Sequence, residues 1–234
     1  MNRKALLGMI VLAACSKPPA PAGPTPGAAA ALPACPTGDA LDAKAAALAK
    51  VPVADLALKA RCAPAHLPAP GFVLDTWALR RADDETTLVH RTAALDASFA
   101  ELAASEAPME DVNEDSIIGE EIDHYAAIDF DHDGVDERVM IVRDIYGGVG
   151  TDRLEVARYA GGAWTEVFAR QVAYDTSTAG GDEADIVSCE TSWKVGGAEG
   201  GPRTIELVPH GAPSEECPGA ETWAPGPTGE FVKR

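Results

Sequence analysis

Positive charge is scarce in this chain: 19 Lys and Arg stand against 37 Asp and Glu in 234 residues, a formal net charge of −18. A phosphate backbone needs a basic surface to release its counterions, so no nucleic-acid partner is expected. Long apolar runs are missing too. The run Ala5 to Ala14 has ten residues, against about 20 for a helix that spans a bilayer. Aromatic residues make up 6% of the chain, and all 13 lie between Phe72 and Phe231. The part before Phe72 therefore has only small apolar groups to bury. The five His form no H-E-x-x-H pair, no Ser sits in a G-x-S-x-G elbow, and the Gly-rich stretch Tyr146 to Thr151 lacks the Lys of a phosphate loop.

What is present begins with a leader. Met1-Asn2-Arg3-Lys4 supplies a positive start, and the apolar run ends in Leu12-Ala13-Ala14-Cys15. A short apolar core behind a basic start and before small residues is the pattern of an export signal. The segment 1–15 resembles the lipobox of bacterial lipoproteins, in which the Cys is lipidated and becomes the mature N-terminus. The resemblance implies lipidation at Cys15 and a place in the bacterial cell envelope. Ser at position 16, where Asp is associated with inner-membrane retention, implies the outer membrane if the cell has one, with the domain facing the periplasm or the surface. Without Arg3 and Lys4 the mature chain has 17 basic and 37 acidic residues, a charge of −20.

Residues 16–34 contain six Pro, seven Ala and two Gly. Such a composition buries no core and stays extended, so it reads as a tether. Four Cys remain after Cys15, and four allow three connectivities. Cys35–Cys62 and Cys189–Cys217 are favoured because each pair brackets a short separate segment. Zinc is the rival reading of four Cys, but no pair has the close spacing of a structural zinc site. Between the first two Cys, Ala40 to Lys50 is rich in strong helix formers, and Val53 to Arg61 reads as a second short helix after Pro52. Residues 35–70 are thus expected to be a disulfide-stapled helical segment packed on the main core.

Residues 71–234 read as a β-rich domain. Phe72 to Leu79 and Thr86 to His90 are short and rich in β-branched and aromatic residues, so both are predicted strands. Leu95, Phe99 and Leu102 have helical spacing, which predicts a helix over 93–106. Further strands are predicted at Tyr125 to Ile128, Arg138 to Asp144, Arg153 to Tyr159, Trp164 to Tyr174, Ile205 to Val208 and Trp223 to Val232. Gly161-Gly162 marks a tight hairpin. The expected class is α+β, with an antiparallel β-rich domain behind the helical segment.

Residues 101–137 hold 14 acidic side chains and no Lys or Arg. Most of these read as a solvated surface, but 129–137 has a spacing: Asp129, Asp131 and Asp133 alternate, Gly134 allows a sharp turn, Val135 can offer its carbonyl, and Glu137 closes the series. An EF-hand would place a Glu where Met140 stands, so that reading fails. The stretch Ala126 to Glu137 instead resembles the calcium loop of FG-GAP or VCBS-type repeats, where a short strand runs into the acidic loop and a second strand runs out; the match covers about residues 126–142. The resemblance implies calcium held by Asp129, Asp131, Asp133, Val135 and Glu137. Those families stack several such loops into propellers; one copy here excludes a propeller.

The residues favour a non-catalytic, calcium-stabilised lipoprotein that binds an envelope protein or glycan. Two alternatives stay open. One is an envelope hydrolase acting on glycan or peptide, with Glu120, Glu121 and Asp123 as the acids nearest to a candidate pair. The other is an inhibitor that captures a cationic protein on its acidic face. A flat platform of Trp193 or Trp223 would point to glycan.

Overall fold

The structure is a computed structural model, and it describes residues 31–67, 69–82, 85–108, 121–146, 149–177, 188–198, 201–210 and 219–234. The leader with Cys15 and the tether up to residue 30 lie outside the described residues. The described chain is mostly antiparallel β-sheet.

Helix α1 (Asp39–Ala49) forms where Ala is densest, and it ends at Lys50 in the left-handed conformation (φ 59°). Its small side chains let it lie close against its neighbour: Ala45, Ala46 and Ala49 are all buried. Asp42 is buried with them, and accepts hydrogen bonds from Lys59 Nζ (2.7 Å) and Ala60 N (3.1 Å). The Cys35–Cys62 disulfide closes the same segment and packs against the core beneath α1. Closing a loop of this length stabilises by about 3.5 kcal/mol in the chain-entropy account. Cys189 is also disulfide-bonded; Cys217, its expected partner, lies outside the described residues.

Among the described residues two sheets follow, each running in chain order with every neighbour antiparallel. The first has four strands, β1 (Arg61–His66), β2 (Pro70–Ala82), β3 (Glu85–Asp96) and β4 (Glu101–Pro108). The second has eight: β5 (Glu121–Ile128), β6 (Glu137–Tyr146), β7 (Val149–Ala160), β8 (Ala163–Asp175), β9 (Ser188–Gly196), β10 (Thr204–His210), β11 (Glu221–Pro225) and β12 (Phe231–Lys233). Gly161 and Gly162, at φ 61° and 83°, make the two-residue turn between β7 and β8, a conformation that side chains with a Cβ resist.

The alternation of strand residues sorts the core into three parts. On one face of the first sheet, Phe72, Leu74, Ala93 and Leu95 pack against Leu41 and Ala45 of α1. On its other face, Val73 and Ala94 meet Tyr125, Ala127 and Trp164 of the second sheet, and Trp77 and Leu88 meet Met140. The far side of the second sheet curls around a third cluster that includes Phe130, Val139, Leu154, Phe168, Ile205 and Phe231. Curling is eased where β8 and β9 pair only from Ala173↔Glu190 to Asp175↔Ser188. It brings Phe130 and Phe231 edge to face at 5.2 Å, yet β5 and β12 remain the two edges of an open sheet.

Three expectations are corrected. Residues 93–106 are not a helix: they are the end of β3, a turn, and most of β4. Asp96 Oδ1 accepts from Ser98 N (2.8 Å) and Ala100 N (2.9 Å), and Phe99 takes φ 69°, so the side chain of Asp96 holds a hairpin turn in the middle of the supposed helix. Leu95 pairs with Phe72 across the sheet, and Leu102 is exposed. Residues 53–61 hold a 3₁₀ turn at Val53–Asp55 rather than a second helix. The boundary expected between 70 and 71 falls inside the β1–β2 hairpin, since Arg61↔Asp75 through His66↔Pro70 are paired.

Candidate metal centre

The acidic loop lies between β5 and β6, and its own carboxylates knit it. Asp129 Oδ2 accepts from Gly134 N (3.1 Å), Asp131 Oδ1 from Asp133 N (3.2 Å) and Asp133 Oδ1 from Val135 N (2.8 Å). His132 (φ 62°) and Gly134 (φ 88°) both take the left-handed conformation that winds the loop tightly. Phe130 anchors it, with its ring in the curled core and its N–H donating to Glu137 Oε2 (3.0 Å).

This geometry gathers three of the expected ligands. One carboxylate oxygen from each of Asp129, Asp131 and Glu137 lies within 4.8 Å of the other two. Asp129 Oδ1 is buried with no hydrogen-bond partner among the described residues. Burial pushes the Glu137 carboxyl up to about 7; the Phe130 N–H works against this, the charge of Asp131 adds to it, and Arg158 opposes it. Asp133 is exposed and stands outside the cluster, while Val135 is half-buried and fixed through its N–H. His132 is exposed.

Residues with no motif around them complete the loop. Arg158 of β7 reaches over it: Nη2 donates to Asp131 and to Asp133 (2.8 Å), and Nε lies 3.6 Å from Glu137. Asp136, read only as part of the acidic stretch, is buried and turned away towards β1. Its Oδ2 accepts from His66 N (2.7 Å), and its own N–H donates to the His66 carbonyl (2.9 Å). Arg203 N donates to the Phe130 carbonyl at 2.7 Å. The loop is thereby tied to the first sheet on one side and to the approach to β10 on the other. Neither Arg158 nor His66 carries a local signal, because the contacts join residues 27 and 70 apart.

A second polar cluster sits between the sheets. Asp75, 0% exposed, accepts from His90 Nε2 (2.6 Å), Tyr125 Oη (2.6 Å), Arg138 Nη1 (2.9 Å) and Thr92 Oγ1. Burial alone would raise the Asp75 carboxyl, but the Arg138 charge, followed by the hydrogen bond from His90, holds it well below the usual carboxylate range. Tyr125 is pushed the other way, up, by burial and by the charge of Asp75. The carboxylate collects donors from both sheets and so braces one against the other. Arg138, which directly follows Glu137, faces Asp75 and carries its counter-ion.

Trp193 and Trp223 do not make a flat platform. Both are half-buried against the curled core, and Trp223 lies under the guanidinium of Arg170, 4.4 Å from its ring centre. Glu120 and the side chains of Glu121 and Asp123 lie outside the described residues.

No family model matches the chain, and no curated protein and no solved structure is significantly similar to it.

Proposed function

We infer that the chain is a non-catalytic lipoprotein of the bacterial envelope: an α+β, β-rich binding domain, stabilised by calcium and tethered through lipidated Cys15. The helical segment stapled by Cys35–Cys62 is the link between tether and sheet. The partner is an envelope protein or glycan. The observation that carries this reading is the oxygen cluster of Asp129, Asp131 and Glu137, with Asp129 Oδ1 buried and partnerless among the described residues.

An all-oxygen donor set suits calcium, which takes six to eight oxygens in a flexible cage. Asp129, Asp131 and Glu137 are the residues that would hold it. A bound ion supplies positive charge to carboxylates that otherwise repel one another. Because the loop is tied to His66 and to Arg203, firmness there is shared with both sheets.

Arg158 favours a second reading, in which the loop carries its own permanent counter-ion and needs no metal. Calorimetry and thermal unfolding decide between the two. For an affinity of about 10⁻⁴ M and roughly 1 mM calcium, linkage gives about 1.4 kcal/mol, a rise of a few degrees in melting temperature. Magnesium should do less, as it demands a tighter octahedron and keeps its waters. No heat of binding, with no thermal response to calcium or chelator, would sink the calcium reading. For the anchor, Cys15→Ser should abolish metabolic labelling with a fatty acid; continued labelling would remove it.

A further inference from the structure

Helix α1 covers only part of the outer face of the first sheet. Past its C-terminal end a cleft of about 700 Å³ opens, with Leu48 and Val51 from the helix end and Leu79 from β2 among its walls. Strand alternation puts Arg91 on this same face, in step with Ala93 and Leu95 beneath the helix. The volume falls in the range of small-molecule sites.

The charge around the cleft runs against the composition of the chain. Lys50, Arg80, Arg81 and Arg91 line it, and so do Asp55, Glu101 and Glu106. Four cations against three anions leave one net positive charge, in a chain with 19 basic and 37 acidic residues. Arg91 is the least expected of them, being 6% exposed. Its Nε donates to Glu106 (3.0 Å) and its Nη2 to Glu101. Its Nη1 is buried with no hydrogen-bond partner among the described residues. A charged donor left without an acceptor in a protein interior calls for one.

We propose that this cleft binds a monoanionic carboxylate ligand with a small apolar body. Arg91 and Arg80 take the carboxylate, and Leu48 and Val51 take the apolar part. Arg91 Nη1, the donor its two glutamates leave open, can give one charge-assisted hydrogen bond to a carboxylate oxygen. A dianionic phosphate suits the cleft less well, since Asp55, Glu101 and Glu106 oppose the second charge while the net charge offered is one. The acidic loop contributes nothing to this site, which is independent of the calcium reading.

The test uses the exported chain with N-acetyl-L-leucine as the probe and N-acetyl-L-leucinamide as its uncharged match, followed by calorimetry and amide NMR. The acid should bind and shift the resonances of Leu48 to Val51, and the amide should bind roughly tenfold more weakly or not at all. Arg80→Gln should weaken the acid roughly tenfold with an unchanged fold, because that side chain is 43% exposed. Arg91→Lys keeps the charge but loses the open Nη1 donor, and should weaken it as well. Equal binding of acid and amide, no binding of the acid at about 10 mM, or affinity untouched by Arg80→Gln would each overturn the proposal. Tighter binding of inorganic phosphate than of the acid would overturn the monoanion assignment.

Discussion

Asp75 of β2 and Arg138 of β6 meet across the two sheets, Oδ1 to Nη1, at 2.9 Å, and both are buried. Arg138 also reaches Glu155 of β7 (3.4 Å), so one guanidinium bridges three strands. Removing one partner of such a pair strands the other in a medium that cannot solvate it. Asp75→Asn should therefore cost about 3–5 kcal/mol, roughly 10 °C in melting temperature for a domain of this size. Arg138→Met should cost a similar amount. The double variant should lose less than the sum of the singles, as residues in one network couple. Strict additivity in chemical denaturation would show that the two charges do not act on each other.

The same carboxylate sets a dependence on acid. In the unfolded chain Asp75 titrates near its ordinary value of about 3.9; in the folded chain its pKa is depressed, chiefly because Arg138 overcomes the effect of burial. As pH falls, the unfolded state takes up the proton first. The stability that Asp75 contributes is complete above the unfolded value and is lost as pH falls from there towards the folded one. The gap in denaturation midpoint between wild type and Asp75→Asn should stay constant from neutral pH to about pH 5 and narrow below about pH 4. A gap that widens in acid would reverse the sign and refute the assignment.

Residue pattern made much of the β-structure legible, and the failures have a physical cause. In a run such as Arg153 to Val156 polar and apolar residues alternate, and Leu154 and Val156 are buried, so local pattern and tertiary burial agree. Residues 93–106 have Leu95, Phe99 and Leu102 at helical spacing among Ala and Glu, yet they pair as strands because Ala93 to Leu95 fit the narrow space between α1 and the second sheet. Tertiary packing overrides propensity there. The acidic loop could be found from its spacing, since the ligands are neighbours in sequence. Arg158, His66 and the Asp75 network could not, because each joins residues brought together only by the meander.

The disulfide between Cys35 and Cys62 fixes the segment before α1 to β1. Since α1 is Ala-rich and buries few large side chains, its hold on the sheet depends on that closure more than a heavier helix would. Replacing both Cys by Ser should lower stability by about 3.5 kcal/mol. Hydrogen exchange should show the loss of protection concentrated in Leu41 to Ala49, with β6 to β8 little changed. Uniform loss across both sheets would mean that the helix and the sheets unfold as one unit.

Arg158 stands where a metal would have to compete. Its guanidinium pairs with Asp131 and Asp133 and lies near Glu137, at a side-chain exposure of 20%. A cation cannot draw Asp131 and Glu137 together without weakening those pairs, and each half-exposed pair is worth about 1 kcal/mol or less. Arg158→Gln removes the competitor, so calcium should bind roughly tenfold more tightly to the variant. Without calcium the variant should melt lower than wild type, because the three carboxylates lose their counter-charge; with saturating calcium the difference should close. If the variant is equally destabilised with and without calcium, and gains no affinity for it, Arg158 is the resident counter-ion of the loop and the metal has no place there.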